Sequence, residues 1–407
     1  VALGELMEAW QSLTADLTVQ NADARATAWI DQELPRMPYR HADFAGRGIV
    51  TCAGGLKYSI PAYVLVRALR HVGCTLPIQL WYRGAAEFLP AMQQAMQPYD
   101  VQWVDAYRVR ERCPHARLNG FELKPYAIQH SPFAEVLFLD ADNVPTKDPT
   151  YLFDDPRFRT TGTILWPDYG RLARNRQAWQ AWGVPYRDEP EIESGQVLVD
   201  KAVAWPALCF ANYCGERSAF YFRHVHGDKE LFHLCWRRLG IPYEMPARGI
   251  ATLQSGTDHT MCQHDLDGAR VFQHRNFGKW QLFQNRPQPG FQLESECLNW
   301  LDELRRIYSP AACTLASDQD QQDQAAAAGR YLYTRVGSDQ RAMTLAPSGQ
   351  ITAGSAGRET YWTIRDGRLL IAGADGRLTM DLVPAPARSW VGRWLTHEQM
   401  PVTLVPA

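Results

Sequence analysis

Glu135-Val136-Leu137-Phe138-Leu139-Asp140-Ala141-Asp142 decides the fold of this chain. Four consecutive apolar residues bounded by acids are too short a run for a helix and read as a strand buried on both faces. Such strands belong to parallel sheets covered by helices. Upstream, a helical stretch leads from Lys124 through His130 into this strand. Earlier still, Ile49-Val50-Thr51-Cys52 is stopped by Ala53-Gly54-Gly55 and followed by an apolar-periodic stretch over 58–72, which reads as strand, turn and helix. Apolar runs at 78–82 and 101–104 repeat at the spacing of alternating strands and helices, so this half is an α/β sheet, Rossmann-like in plan. Downstream, runs at 163–166 and 195–199 and a helical stretch at 206–213 extend the sheet without a second nucleotide unit.

The flanks read differently. Residues 1–46 form a helical arm, with Leu3, Leu6, Met7, Trp10, Leu13 and Leu17 at three- and four-residue spacing. Residues 309–328 are Ala, Gln and Asp rich, too polar to bury, and read as a linker. Beyond them Asp366-Gly367 and Asp375-Gly376 separate short strands as hairpins require, giving a small all-β domain over 329–407. The α/β domain is left with 47–308.

At ~150 residues per domain, 407 residues are enough for two to three domains. Hydrophobic residues at 46% and charged residues at 21% imply a packed core and exclude a disordered or fibrous chain. A net charge of −2 excludes a dedicated nucleic-acid binder. Apolar runs fall far short of the ~20 residues that span a bilayer, so no transmembrane segment is expected. Nine cysteines without a CxxC pair suggest neither a zinc ribbon nor a disulfide framework. The first ten residues lack the basic and apolar regions of a secretion signal. A cytoplasmic protein, at most peripheral at a membrane, is expected.

Asp140 and Asp142 stand where a buried strand leaves the sheet, and alternation lets two acids bracket one cation. Ligands of open α/β sheets collect at the carboxyl ends of strands, where a metal can neutralise a diphosphate leaving group. Asp-x-Asp also ends strands by chance, so the surrounding sequence has to decide. FLDADN (138–143), preceded by FELKPYAIQHSPFAEV (121–136), resembles the metal motif of GT-A fold glycosyltransferases, and in particular the fungal Golgi α-mannosyltransferases of glycosyltransferase family 71. TCAGGLKYSIPAYVLVRALRHVGCTLPIQLWY (51–82) is similar to their first nucleotide-binding strand and helix. ESGQVLVDK (193–201) and HGDKELF (226–232) are similar to their acceptor-side segments. The Golgi members carry an N-terminal membrane anchor and lack a C-terminal β module; this chain reads the other way on both counts.

The resemblance implies a metal-dependent, retaining transfer of a sugar from a nucleotide diphosphate to a glycan or lipid-linked saccharide, with GDP-mannose the leading donor and a UDP-hexose the alternative. It makes Ala53, Gly54, Lys57 and Lys124 donor contacts beside Asp140. QHRNFGKW (273–280) is similar to the last motif of glycogenin-like transferases, which makes His274 the third ligand of Mn²⁺ or Mg²⁺ with Asp140 and Asp142. Gly278 and Lys279 would then grip the diphosphate. Glu193, Gln196 and Asp228 become candidate catalytic stabilisers, with no assigned base, and Gly195 allows close approach of the sugar. Trp166-Pro167-Asp168-Tyr169 is the expected acceptor platform. The tail resembles β modules of bacterial glycan-modifying transferases; Trp362, Trp390 and Trp394 leave open whether it binds glycan, docks a partner or acts as a lid. A non-catalytic carbohydrate-binding protein on a degenerate core is the rival reading. A nucleotidyltransferase is a third, for which TCAGGLKY is a poor phosphate-gripping signature.

Overall fold

The computed structural model describes residues 16–283, 285–309, 314–355, 357–373, 377–395 and 400–407. They group into two compact units, one of residues up to 88, 99–280 and 286–294, the other of 89–98, 281–285 and 295–407. Among the described residues no helix is long and apolar enough to cross a membrane, and the described cysteines are free thiols.

The first unit is built on a six-stranded sheet of order β3 (Val101–Asp105), β2 (Ile78–Tyr82), β1 (Arg47–Cys52), β4 (Glu135–Leu139), β7 (Pro190–Asp200), β6 (Thr163–Arg171). The first four strands run parallel, and β7 and β6 pair antiparallel. Val136 to Leu139 are fully buried, as a strand covered on both faces demands. Helix Leu56–His71 returns from β1 and is buried from Ser59 to Val66. The helix Val19–Gln32 packs on the same core, its Trp29 ring centroid 4.8 Å from that of Tyr213. The apolar positions of the expected arm from Leu3 to Leu13 lie outside the described residues.

After β4 the chain makes a tight turn, with the Asn143 amide donating to the Asp140 carbonyl at 3.0 Å. It then enters a second sheet of order β5 (Asn143–Pro145), β10 (Arg270–His274), β9 (Asp258–His264), β8 (Ala251–Ser255). Asp140-Ala141-Asp142 is therefore the link between two sheets, and the β5–β10 register sets His274 opposite Asn143.

The β9–β10 turn is held by Asp265. Its carboxylate accepts from the Ala269 amide at 2.8 Å, Lys147 Nζ at 2.8 Å and the Tyr151 hydroxyl at 2.6 Å. Burial pushes this carboxyl up, but those donors outweigh it and bring it to about 2. The associated stability is present above the ordinary aspartate range and is lost as pH falls towards 2. Asp265→Asn is expected to cost about 1.5–3 kcal/mol at neutral pH; urea unfolding would refute this by giving a midpoint equal to the wild type.

In the second unit eight antiparallel strands follow one another: β13 (Gly329–Arg335), β14 (Asp339–Leu345), β15 (Ile351–Ala353), β16 (Tyr361–Arg365), β17 (Arg368–Ala372), β18 (Leu378–Ala385), β19 (Ser389–Trp394) and β20 (Pro401–Pro406). β20 returns to pair with β13, and the Ile351 and Trp362 amides donate to the Thr360 and Gly349 carbonyls at 3.0 and 2.8 Å. These bonds close an up-and-down barrel, which leaves no free sheet edge. Asp366 and Gly367 turn β16 into β17 with φ of 50° and 69°, the left-handed pair a two-residue hairpin needs. Asp375-Gly376 lies outside the described residues. Trp362, Trp390 and Trp394 are buried in the barrel core instead of presenting a binding face. A two-residue pair, β11 (Tyr308–Ser309) and β12 (Thr314–Leu315), precedes the barrel.

The stretch expected as a linker differs: it holds a helix, Asp318–Ala327, capped reciprocally by Ser317 and Asp320. Its polar composition, read as unable to pack, is used in hydrogen bonds. Gln324 Oε1 accepts from the Thr363 hydroxyl at 2.9 Å, and Asp320 Oδ1 accepts from the Asp366 amide at 2.9 Å.

Candidate active site

Two strands of the main sheet, one of the second sheet and one helix converge. β4 delivers Asp140 and Asp142, β7 delivers Glu193 to Gln196, β10 ends in His274, and helix Leu123–His130 supplies Lys124. Asp228 stands at the start of helix Lys229–Arg238. The Asp140 amide donates to the Gly195 carbonyl at 2.7 Å, and Asn143 Nδ2 donates to the same oxygen at 2.7 Å, so the Asp140–Asn143 turn is fastened to β7.

His274 lies between carboxylates. Its Nδ1 is 3.1 Å from Glu193 Oε1, and its Nε2 is 3.3 Å from Asp142 Oδ1 and 3.8 Å from Asp140 Oδ2. Asp140, Glu193 and His274 each offer a ligand atom within 4.8 Å of the others. Gly195 is needed at this point, because a β-carbon there would lie 2.6 Å from His274 Nδ1. Burial lowers the basicity of His274, but Asp142 and Glu193 outweigh it and raise its pKa well above the ordinary range. Burial pushes Asp142 up, yet His274 and Lys279 hold it well below the usual carboxylate range. Asp140 is raised by burial against the opposing pull of Lys124 and His274.

Lys124 is the buried counter-charge. Its ammonium lies 2.8 Å from Asp228 Oδ2 and 3.2 Å from Asp140 Oδ1, and donates to the Ser194 carbonyl at 2.7 Å. Burial lowers its pKa, but Asp140 and Asp228 outweigh that and raise it. Lys279 pairs with Asp142. Four carboxylates (Asp140, Asp142, Glu193, Asp228) against two ammoniums leave two negative charges when the imidazole is neutral.

Beside this cluster opens a cavity of about 380 Å³ lined by Gly54, Lys124, Asp140, Asp142 and Lys279. The remaining expected residues are placed as follows. Glu193 is buried and fully engaged: Oε1 accepts from the Gly195 amide at 2.8 Å and faces His274, while Oε2 accepts from Gln196. Gln196 is sealed from solvent and also meets Asn143 at 3.3 Å. Ala53 is fully buried, its amide donating to the Trp81 carbonyl at 3.0 Å. Gly278 turns the chain at φ 77°, its carbonyl accepting from Arg275 Nε at 2.6 Å. Lys57, expected on phosphate or ribose, does not line the cavity; its ammonium stands 5.2 Å from the centre of the Tyr58 ring.

Trp166 corrects the expected acceptor platform. It is sealed in the interior, donating from Nε1 to the His264 carbonyl at 2.8 Å and packing edge-on to Phe272. β6 is buried on both faces from Thr163 to Pro167 and becomes exposed only from Tyr169 onward, so Trp166 stays inside. Sequence reasoning missed Arg83, Glu87, Asn119 and Phe121, which line the cavity. Arg83 and Glu87 directly follow the carboxyl end of β2, a position that marks ligand contacts in open α/β sheets.

Residues 46–187 match the family model described as "Mannosyltransferase putative". Alpha-1,2-mannosyltransferase MNN5 of Saccharomyces cerevisiae is 33% identical over 146 residues, 33% of this chain and 24% of that protein. Alpha-1,2-mannosyltransferase MNN21 of Candida albicans is 32% identical over 262 residues, 51% of this chain and 40% of that protein. The chain thus spans well under half the length of these relatives. The galactosyltransferase LgtC, solved with donor and acceptor sugar analogs, aligns at 14% identity and a TM-score of 0.36 over 49% of this chain and 73% of that one, too slight a likeness to assign anything to this site. Residues 46–187, which carry the strand that ends in Asp140 and Asp142, are thus similar to this mannosyltransferase family.

Proposed function

We propose that this chain is a metal-assisted glycosyltransferase that moves mannose from GDP-mannose to a hydroxyl of a glycan or lipid-linked saccharide, with retention at the anomeric carbon. The observation that carries the reading is the convergence of Asp140, Asp142, Glu193, Lys124 and His274 at the carboxyl end of β4, beside a cavity. The relatives named as mannosyltransferases support the sugar.

The donor set suits a divalent cation: carboxylate oxygens and an imidazole Nε2 meet where two negative charges are uncompensated. Asp140, Asp142 and His274 would hold Mn²⁺ or Mg²⁺, which would neutralise charge on a departing diphosphate. Glu193 would act one step back. By accepting from Nδ1 it fixes the tautomer that turns Nε2 towards Asp140 and Asp142. Lys279 is positioned to exchange Asp142 for a phosphate oxygen, and Lys124 holds Asp140 and Asp228 together.

Retention is what the resemblance implies, and the engagement of the carboxylates is compatible with it. Glu193 is occupied by Gly195, Gln196 and His274, and Asp228 by Lys124 and Ser194. Glu193 is turned to those three partners and both contacts of Asp228 fall on Oδ2, and no enzymic nucleophile is assigned. In the proposed step the bond from the anomeric carbon to the phosphate oxygen breaks with its electron pair going to the diphosphate. The acceptor oxygen bonds to the same face, and its proton passes to the departing phosphate.

Thermal unfolding with Mn²⁺ and GDP is expected to show a rise of several degrees over protein alone, as tight binding to the folded state requires. Stabilisation by UDP and none by GDP would replace the donor with a UDP-hexose. An inverted product from GDP-mannose in an anomer-resolved NMR assay would overturn same-face transfer.

A further inference from the structure

We infer that Glu87 is the group that receives the nucleoside of the donor, accepting one hydrogen bond from a base N–H or a ribose O–H on its free Oε2 lone pair. The inference rests on reading the cavity as a nucleotide-sugar site and adds to it the position and chemistry of the nucleoside end.

The sheet order sets the direction. β1 lies between β2 and β4, and neighbouring strands are ~4.8 Å apart, so the ends of β2 and β4 are roughly 10 Å apart across the mouth of β1. Asp140, Asp142 and Lys279 line the cavity at the β4 end. That is where cations are available to phosphate. Arg83 and Glu87 line the same cavity beyond the β2 end, where they neutralise each other. A diphosphate gains little from a charge-neutral pair, whereas a nucleoside with hydrogen-bond donors can use its carboxylate.

The bonds of Glu87 specify what it can take. Oε1 accepts from Arg83 Nε at 2.9 Å and from Arg83 Nη2, and Oε2 accepts from the Arg83 amide at 2.8 Å. A carboxylate has about four acceptor sites, so among the described residues one remains, on Oε2. That oxygen lies against Gly54, where a β-carbon would come within 2.1 Å of it. Glycine at 54 therefore lets the Glu87 side chain pack against the end of β1 while staying 22% exposed at the cavity. Tyr58 and Phe121, exposed by 39% and 61%, line the same cavity and offer ring faces beside it.

The test is calorimetric titration of the full-length chain with Mn²⁺ present, using GDP, UDP and inorganic pyrophosphate on the wild type and on Glu87→Gln and Glu87→Ala. Both variants are expected to bind the nucleotide ten- to a hundredfold more weakly, the range for a hydrogen bond to a charged group, with pyrophosphate affinity within twofold of wild type. The 2′-deoxy nucleotide separates the two sources of the donor. If it or the 3′-deoxy nucleotide binds the wild type as weakly as the full nucleotide binds the variants, a ribose hydroxyl is the partner; if both bind like the full nucleotide and Glu87→Gln weakens all three, the base N–H is. Unchanged nucleotide affinity in both variants, or an equal loss for pyrophosphate, overturns the role of Glu87 while leaving the proposed function standing. A wild type that binds neither nucleotide nor pyrophosphate overturns the two together.

Discussion

Lys124→Met is expected to cost about 3–5 kcal/mol of folding stability, the range for removing one partner of a buried ion pair. The ammonium is almost sealed from solvent, contacts Asp140, Asp228 and the Ser194 carbonyl, and sits 4.9 Å from the centre of the Phe138 ring. Methionine fills the same volume, so packing is kept and the loss isolates the charge. Buried Asp228 and the partly exposed Asp140 are then left without their shared counter-charge. Added Mn²⁺ should restore part of the stability by supplying the missing positive charge. Denaturant unfolding measures both quantities, and a loss below about 1 kcal/mol would show that Lys124 is not the counter-charge of this cluster.

Asp140→Asn is expected to reduce the proposed mannosyl transfer by about a thousandfold, at the upper end of what removing one electrostatic stabiliser costs. Glu193→Gln should reduce it only about ten- to a hundredfold, the effect of losing a partner that orients a ligand. The contrast arises because Asp140 lines the cavity, whereas Glu193 is spent on Gly195, Gln196 and His274. Manganese binding followed by electron paramagnetic resonance should rank the two variants in the same order. Equal losses in rate and metal affinity would make Glu193 a direct ligand and would refute its role as orienter of His274.

Much of the fold was legible because burial leaves a compositional trace. Val136 to Leu139 read as a buried strand, and the following acids had to sit at its carboxyl end. Ala53-Gly54-Gly55 marked the turn into the first helix for the same reason: Gly55 adopts φ 71° there. Composition failed where polar side chains pack by pairing with one another. The helix Asp318–Ala327 buries little, yet Asp320 and Gln324 tie it to the β16–β17 hairpin. Trp166 failed in the opposite sense. An aromatic residue just past a strand gives no sign of which face it takes once an irregularity in the β6–β7 pairing intervenes.

The sequence by itself determined the α/β sheet, the all-β tail and the placement of Asp140 and Asp142 at a strand end, since each depends on short-range periodicity and turn chemistry. Only the tertiary structure decided that His274 reaches them. That contact depends on the chain leaving one sheet at Asp142 and pairing Asn143 with a strand about 130 residues later. Register between distant strands is set by how whole sheets pack and is not encoded in local pattern. The same holds for Glu87 beside Gly54, which share a cavity because β2 lies beside β1.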